Sequence, residues 1–357
     1  MPPGAPACFD PPMGPSPLTR RLLLAGASSL LAGGAGLALV RWLERGVYAL
    51  PTESDEIIDA LVVEGARLNL LKAGLRGARV VVPDRPHDPL DTIDPRVRAA
   101  MGRRRVFTVD TNRLRLRGTR EAEDLPSPRL LLLGDSVAFG WGVDFKDSIG
   151  ERLSDELDRP VLCAGVPAMR PAQLQHWARM VLGQLKVETV LVLIRPRVDE
   201  LPALAALFRT IASLSEAKPA LVLSPLSSFD LRGARSRTTL ADAVREAIPG
   251  LPVLEATDTL WLHPPPGGVL LQAQGQRQEL IETTTGATLR SVIGPDERVA
   301  PEIYAAFEED PSLREPFFFD GGHVDAEGSR LLAQDIAGFL RLEGLDQPTM
   351  PAVPHPR

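Results

Sequence analysis

Asparagine, cysteine and tyrosine are nearly absent from this chain, with two of each in 357 residues. Two cysteines, Cys8 and Cys163, exclude a disulfide framework and give no metal-ligand spacing. Cys163 closes an apolar stretch and reads as a buried thiol. An excess of positive charge is also missing. The net charge is −6 and no basic stripe is visible, which argues against a nucleic-acid partner. There is no phosphate-binding glycine loop and no paired His/Glu metal motif, so neither a metal nor a cofactor is expected. His87, His176, His263 and His355 lack partner spacing and read as structural or solvated. Scarce asparagine beside abundant arginine, alanine, leucine and proline points to a GC-rich bacterial source.

What is present is an ordinary folding composition, 44% hydrophobic and 24% charged, with room for one large domain and a terminal appendage. The appendage is conspicuous. After a Pro-rich start, Leu22 to Val40 runs without a charge and would span ~28 Å as a helix, about the hydrocarbon thickness of a bilayer. Arg20 and Arg21 precede it, Arg41, Glu44 and Arg45 follow it, and Trp42 and Tyr48 sit where interfacial aromatics would. Thr19-Arg20-Arg21-Leu22-Leu23 also looks like a twin-arginine export signal. The expectation is a single-pass protein of the cytoplasmic membrane whose main domain is extracytoplasmic.

Beyond the run, the spacing of Ile57, Leu61, Leu68 and Leu71 predicts an amphipathic helix over 52–73. Val80-Val81-Val82 reads as a strand, 83–95 as a Pro/Asp-rich loop, and Arg103-Arg104-Arg105 as a solvated cluster before another strand. From Leu130 strands and helices alternate. Strands are expected at 130–133, 161–163, 190–194, 220–224 and from 253. Helices are expected from Ser148 (capped as Ser148-x-x-Glu151), from Pro171, over 201–214 and over 239–247. This rhythm implies a parallel sheet covered by helices on both faces, with ligands at the carboxyl ends of its strands. Between Trp261 and Phe317 it fails. There the expectations are a loop at 263–268, mixed segments with a hairpin over 267–295, and a short helix over 301–309. A final helix follows, with Leu331, Leu332, Ile336 and Phe339 on its apolar face.

Two short strings carry chemistry. Gly134-Asp135-Ser136 leaves the apolar strand 130–133, where Gly134 permits a sharp turn. Asp320-Gly321-Gly322-His323 precedes the last helix. A serine hydroxyl is a weak nucleophile and needs a base within hydrogen-bond reach. His323 supplies one, and Asp320, three residues away, is near enough to hold the other imidazole nitrogen.

These strings resemble the SGNH (GDSL) hydrolase superfamily of esterases, lipases and carbohydrate deacetylases. Residues 134–143 look like its first block, Cys163-Ala164-Gly165-Val166-Pro167 like its second, and Asp320 to His323 like its last. Asp110 to Gly118 is similar to a segment that often precedes the first block in bacterial members. The resemblance covers roughly 105–342. It implies a three-layer αβα, flavodoxin-like fold with Ser136 as nucleophile, His323 as base and Asp320 as its orienter. It also implies an oxyanion hole using the Ser136 and Gly165 N–H groups. One block departs. Val198 stands where the family's third block has an asparagine that donates to the oxyanion, and neither Asn69 nor Asn112 lies in a block that could replace it. A missing donor costs ~2.7–4 kcal/mol in the transition state. Arg195 or Arg197 stands nearby as a substitute, with a surface role as the alternative for each.

The expected organisation is therefore a disordered 1–21, a membrane helix or uncleaved export signal at 22–40, and a juxtamembrane extension over 41–128. An αβα domain follows over 129–343, with an insertion at about 262–316, and then a disordered tail over 344–357. The expected function is ester hydrolysis through an acyl-enzyme at Ser136, on O-acyl groups of cell-envelope polysaccharide or on small lipidic esters. The alternatives are an acyltransferase or a catalytically impaired binding protein that keeps the fold.

Overall fold

The structure is a computed structural model, and it describes residues 62–64, 69–83, 104–127, 129–228, 240–261, 264–294, 299–310, 313, 315–319 and 322–346. The described residues belong to one compact unit. Its centre is a parallel sheet of five strands: β5 (Leu130–Gly134), β6 (Val161–Gly165), β7 (Thr189–Leu193), β8 (Lys218–Leu223) and β9 (Val253–Glu255). They lie in the order β6-β5-β7-β8-β9. Counted within the sheet that is 2-1-3-4-5, the flavodoxin-like order, whose switch point falls where β5 meets its two neighbours.

The strands are continuous apolar runs because both faces of the sheet are covered. Leu131, Leu133, Val190, Val192, Leu221 and Leu223 enter one core cluster, and Leu130, Leu132, Leu191, Leu193, Ala220 and Val222 enter the other. The first face packs on α3 (Pro171–Leu182), α4 (Leu201–Leu214) and a helix over 240–247, here α5. The second face packs on α2 (Ile149–Leu157), α6 (Thr257–Trp261) and α8 (Ala326–Leu342). Three layers result, as expected. The short α1 (Ser136–Phe139) follows β5 directly. Ser148 caps α2 by accepting from the Glu151 N–H at 3.4 Å. Pro171 occupies the first turn of α3, where its missing N–H costs nothing.

The stretch before the sheet differs from expectation. In place of a helix, the described part of 52–73 holds β1 (Val62–Glu64) and β2 (Asn69–Leu71), paired antiparallel with Val62 opposite Leu71. The β-branched pair Val62-Val63 favours this extended form over a helix. β3 (Ala78–Pro83) pairs with β4 (Arg104–Val109). The extension is joined to the central core, because Leu71, Val80, Val82, Phe107, Val109, Leu116 and Leu125 share a cluster with the sheet. The segments 1–61 and 84–103 lie outside the described residues, and with them the 22–40 run. Among the described residues no helix is long and apolar enough to cross a membrane.

The insertion holds the expected hairpin, β10 (Val269–Gln274) with β11 (Arg277–Glu282), extended by a third antiparallel strand, β12 (Thr288–Ile293). They share a small core with α7 (Pro301–Glu309) through Leu271, Leu280, Ala300 and Ile303. Glu315 joins this unit to the sheet. Its carboxylate accepts from the backbone N–H of Ser228, whose Oγ accepts from the backbone N–H of Leu271 at 3.0 Å. Burial pushes the Glu315 carboxyl from 4.5 up to about 7, against hydrogen bonds from Ser228 and Ser227 that lower it. The folded chain thus holds this proton to a higher pH than the unfolded chain. Stability is lost as pH rises from about 4.5, and the full penalty, at most ~3 kcal/mol, is present above about 7. Glu315→Gln is expected to remove that slope. Urea midpoints of both proteins at pH 5 and pH 8 check it, and parallel shifts would count against a buried protonated Glu315.

Candidate active site

Ser136 is the first residue of α1, at the carboxyl end of β5 and at the switch point of the sheet. Asp135 caps the helix, its carboxylate accepting from the Val137 N–H at 2.9 Å. Burial pushes the Asp135 carboxyl up, opposed by that hydrogen bond and by the nearby His323 and Arg170 charges. The turn after the helix is tight. Gly140 is left-handed (φ 77°), and the Trp141 N–H returns to the Ser136 carbonyl at 2.9 Å.

His323 comes from the opposite end of the chain, just before α8. Its Nε2 lies 2.8 Å from Ser136 Oγ, and the residue is only 4% exposed. A hairpin-like turn presents it. Phe318 bridges Val324, the Asp325 N–H donates to the Phe317 carbonyl at 2.7 Å, and the Phe319 N–H donates to the His323 carbonyl. Asp320, the expected orienter, and Gly321 lie outside the described residues.

Aromatic rings fix the plane of the imidazole. Phe319 stacks on it with centroids 5.8 Å apart and planes 19° apart, and Trp141 lies 6.4 Å away. Arg105 of β4 covers the Phe319 ring, 4.6 Å from its centre. Phe107 meets Trp141 edge to face at 5.6 Å. Strand β4 therefore walls the site, a contribution that the sequence reading missed. Its one visible signal was the alternation of Phe107 and Val109.

Gly165 ends β6 in register with Gly134. A Cβ on Gly165 would lie 2.2 Å from the Phe139 nitrogen, so the β6 tip touches the α1 backbone and only glycine fits. Arg195 is directed elsewhere. It holds Glu255 of β9 through two contacts of 3.0 Å and donates to the Ser224 carbonyl. Arg197 is exposed and pairs with Asp199. Arg195 is thus engaged in a largely buried ion pair and Arg197 in an exposed one. Val198 opens a 3-10 turn and is 64% exposed.

Cys163 is buried and its thiol is pushed up to about 12 by burial, so it is inert. His176 is exposed, and His87, His263 and His355 lie outside the described residues. Among the described residues no group of three or more His, Cys, Asp or Glu side chains could hold a metal ion.

No protein-family model matches the chain, and no curated protein matches it. Solved structures do align with it. One is assigned to the lipolytic G-D-S-L family, from Desulfitobacterium hafniense DCB-2, at 14% identity over 60% of this chain and 100% of that one (TM-score 0.37). The psychrotrophic esterase EstA from Pseudoalteromonas sp. aligns at 11% identity over 62% and 100% (TM-score 0.38). AlinE4, an SGNH-hydrolase family esterase, aligns at 18% identity over 36% and 75% (TM-score 0.30). What the site can do is set by its own atoms.

Proposed function

We propose that the chain is a serine hydrolase of the SGNH type that cleaves esters. The observation that carries this reading is the 2.8 Å contact between His323 Nε2 and Ser136 Oγ at the mouth of the parallel sheet. In the proposed reaction Ser136 Oγ attacks the acyl carbonyl while His323 Nε2 takes its proton. The backbone N–H groups of Ser136 and Gly165 receive the oxyanion, and Asp320 holds the far side of the imidazole. His323 returns the proton to the departing alcohol, leaving an acyl-enzyme at Ser136. Water, activated by His323, then releases the acid. Transfer to another alcohol uses the same steps. No cofactor enters this scheme.

The substrate classes proposed are O-acyl groups of cell-envelope polysaccharide and small lipidic esters, met on the outer face of a membrane to which residues 22–40 tether the chain. Hydrolysis of acetyl-, butyryl- and octanoyl-esters tests the activity and ranks the acyl length. Failure on all three, with folded protein, would sink it. The tether is tested by fractionation and by a reporter fused after Arg357, which should be active only when exported.

The exposed Val198 favours a second reading, a site short of one oxyanion donor that has become a binding protein or a slow enzyme. Because Val198 is exposed, Val198→Asn should leave stability within ~0.5 kcal/mol. If the site is a working enzyme lacking this donor, kcat should rise on the order of tenfold to a hundredfold with little change in KM. An unchanged kcat in an active parent would mean that this position faces away from the oxyanion.

A further inference from the structure

We propose that Arg117 is a positioning residue for the nucleophile, a buried guanidinium clamp that sets α1 against the tip of β6. The inference rests on the reading of Ser136 as nucleophile and extends it to a residue to which no part of that reading gives a role.

Arg117 is 3% exposed. One terminal nitrogen donates to the Phe139 carbonyl and to the Gly140 carbonyl at 2.7 Å. The other donates to the Val143 carbonyl at 2.6 Å and more weakly to the Thr108 carbonyl at 3.4 Å. Phe139 is the last residue of α1 and Gly140 its cap, so two of these acceptors are carbonyls that a helix end leaves without intrahelical partners. The guanidinium lies over the Phe139 ring, 4.5 Å from its centre, with Phe107 at 5.8 Å. Its own backbone N–H donates to the Cys163 carbonyl of β6 at 2.9 Å. One residue therefore grips the turn that leaves Ser136 and, through its main chain, the strand that ends at Gly165. These two elements carry the two N–H groups assigned to the oxyanion.

A buried cation is costly unless it is well hydrogen-bonded, and here carbonyl dipoles do most of that work. Asp144 and Asp110 add field only, and the Asp144 carboxylate is itself held by the Thr108 N–H and hydroxyl at 2.9 Å. Burial lowers the Arg117 pKa to about 10, which leaves it charged at neutral pH. Lysine would keep the charge but lacks the planar fork that reaches several carbonyls at once. An apolar core residue could fill the same volume more cheaply, so the placement implies a requirement for geometry.

The test compares parent and Arg117→Lys by ester kinetics, by the rate of fluorophosphonate labelling at Ser136, and by hydrogen exchange of peptides spanning 136–143 and β7. The expected result is a folded protein with kcat and labelling rate each down at least about thirtyfold and KM within about threefold. Exchange should be faster in 136–143 and unchanged in β7. A purely structural arginine would lower the melting temperature without this split between kcat and KM. Labelling within twofold of the parent, with unchanged exchange, overturns the clamp and leaves the hydrolase reading standing. A parent that neither labels nor turns over esters defeats the hydrolase reading, and exchange then decides the clamp alone. Should Arg117→Lys fail to fold, Gly140→Ala reaches the same contact from the other side. Its Cβ would lie 2.7 Å from the Arg117 nitrogen and 2.8 Å from the Ser148 Cβ, so the same losses in kcat and labelling are expected alongside a loss of stability, and their absence overturns the clamp.

Discussion

Ester turnover is expected to fall by at least about 10⁴-fold in Ser136→Ala, with the fold intact. The substitution removes one hydroxyl from a half-buried position and leaves His323 Nε2 without its 2.8 Å neighbour. Triad members act as a unit, so losing the nucleophile removes nearly all that the triad contributes. No core volume is lost and the Asp135 cap is untouched, so stability should change by less than ~1 kcal/mol. Initial rates with the best ester, alongside thermal unfolding, measure both. Retention of a tenth of parental turnover would mean that another group attacks the ester.

Gly134→Ala should do the reverse and strike the fold first. A Cβ at Gly134 would stand 2.0 Å from the Leu193 carbonyl oxygen and 2.6 Å from the Ala138 Cβ. The first of these atoms is backbone of the adjacent β7, which cannot turn aside as a flexible side chain could. Either β5 separates from β7 or α1 moves, and Ser136 moves with it. The expected cost is ~3 kcal/mol or more, above the usual range for overpacking because a strand must shift. Urea unfolding monitored through the tryptophans would show a lower midpoint. An unchanged midpoint would mean that the strand-to-helix turn is looser than described.

The central sheet was legible because its strands are buried on both faces. Runs such as Leu130–Leu133 and Val190–Ile194 admit few other placements once helices alternate with them. The serine and histidine were legible because each sits in a short string beside such an element, and the fold brings them to 2.8 Å. The extension was harder. The apolar positions at 57, 61, 68 and 71 fit a helical period, whereas β1 and β2 are three residues each, too short to show alternation. In the insertion, β12 went unread because its residues are exposed or half-buried and it lacks an apolar face. Arg117 was invisible for a different reason. It is one of three arginines at alternate positions, with Arg113 exposed, Arg115 half-buried at φ 65° and Arg117 enclosed. Charge spacing cannot tell which of the three turns inward. Only the convergence of Phe139, Gly140 and Val143 carbonyls, set by the turn after α1, distinguishes it.

The central claim is that Ser136 is a nucleophile activated by His323. Its most direct test is fluorophosphonate labelling of the parent and of His323→Gln, with the modified residue located by mass spectrometry. One adduct is expected on the parent, at Ser136, with labelling at least about a thousandfold slower in His323→Gln. An unmodified parent, or an adduct on any other residue, would contradict it.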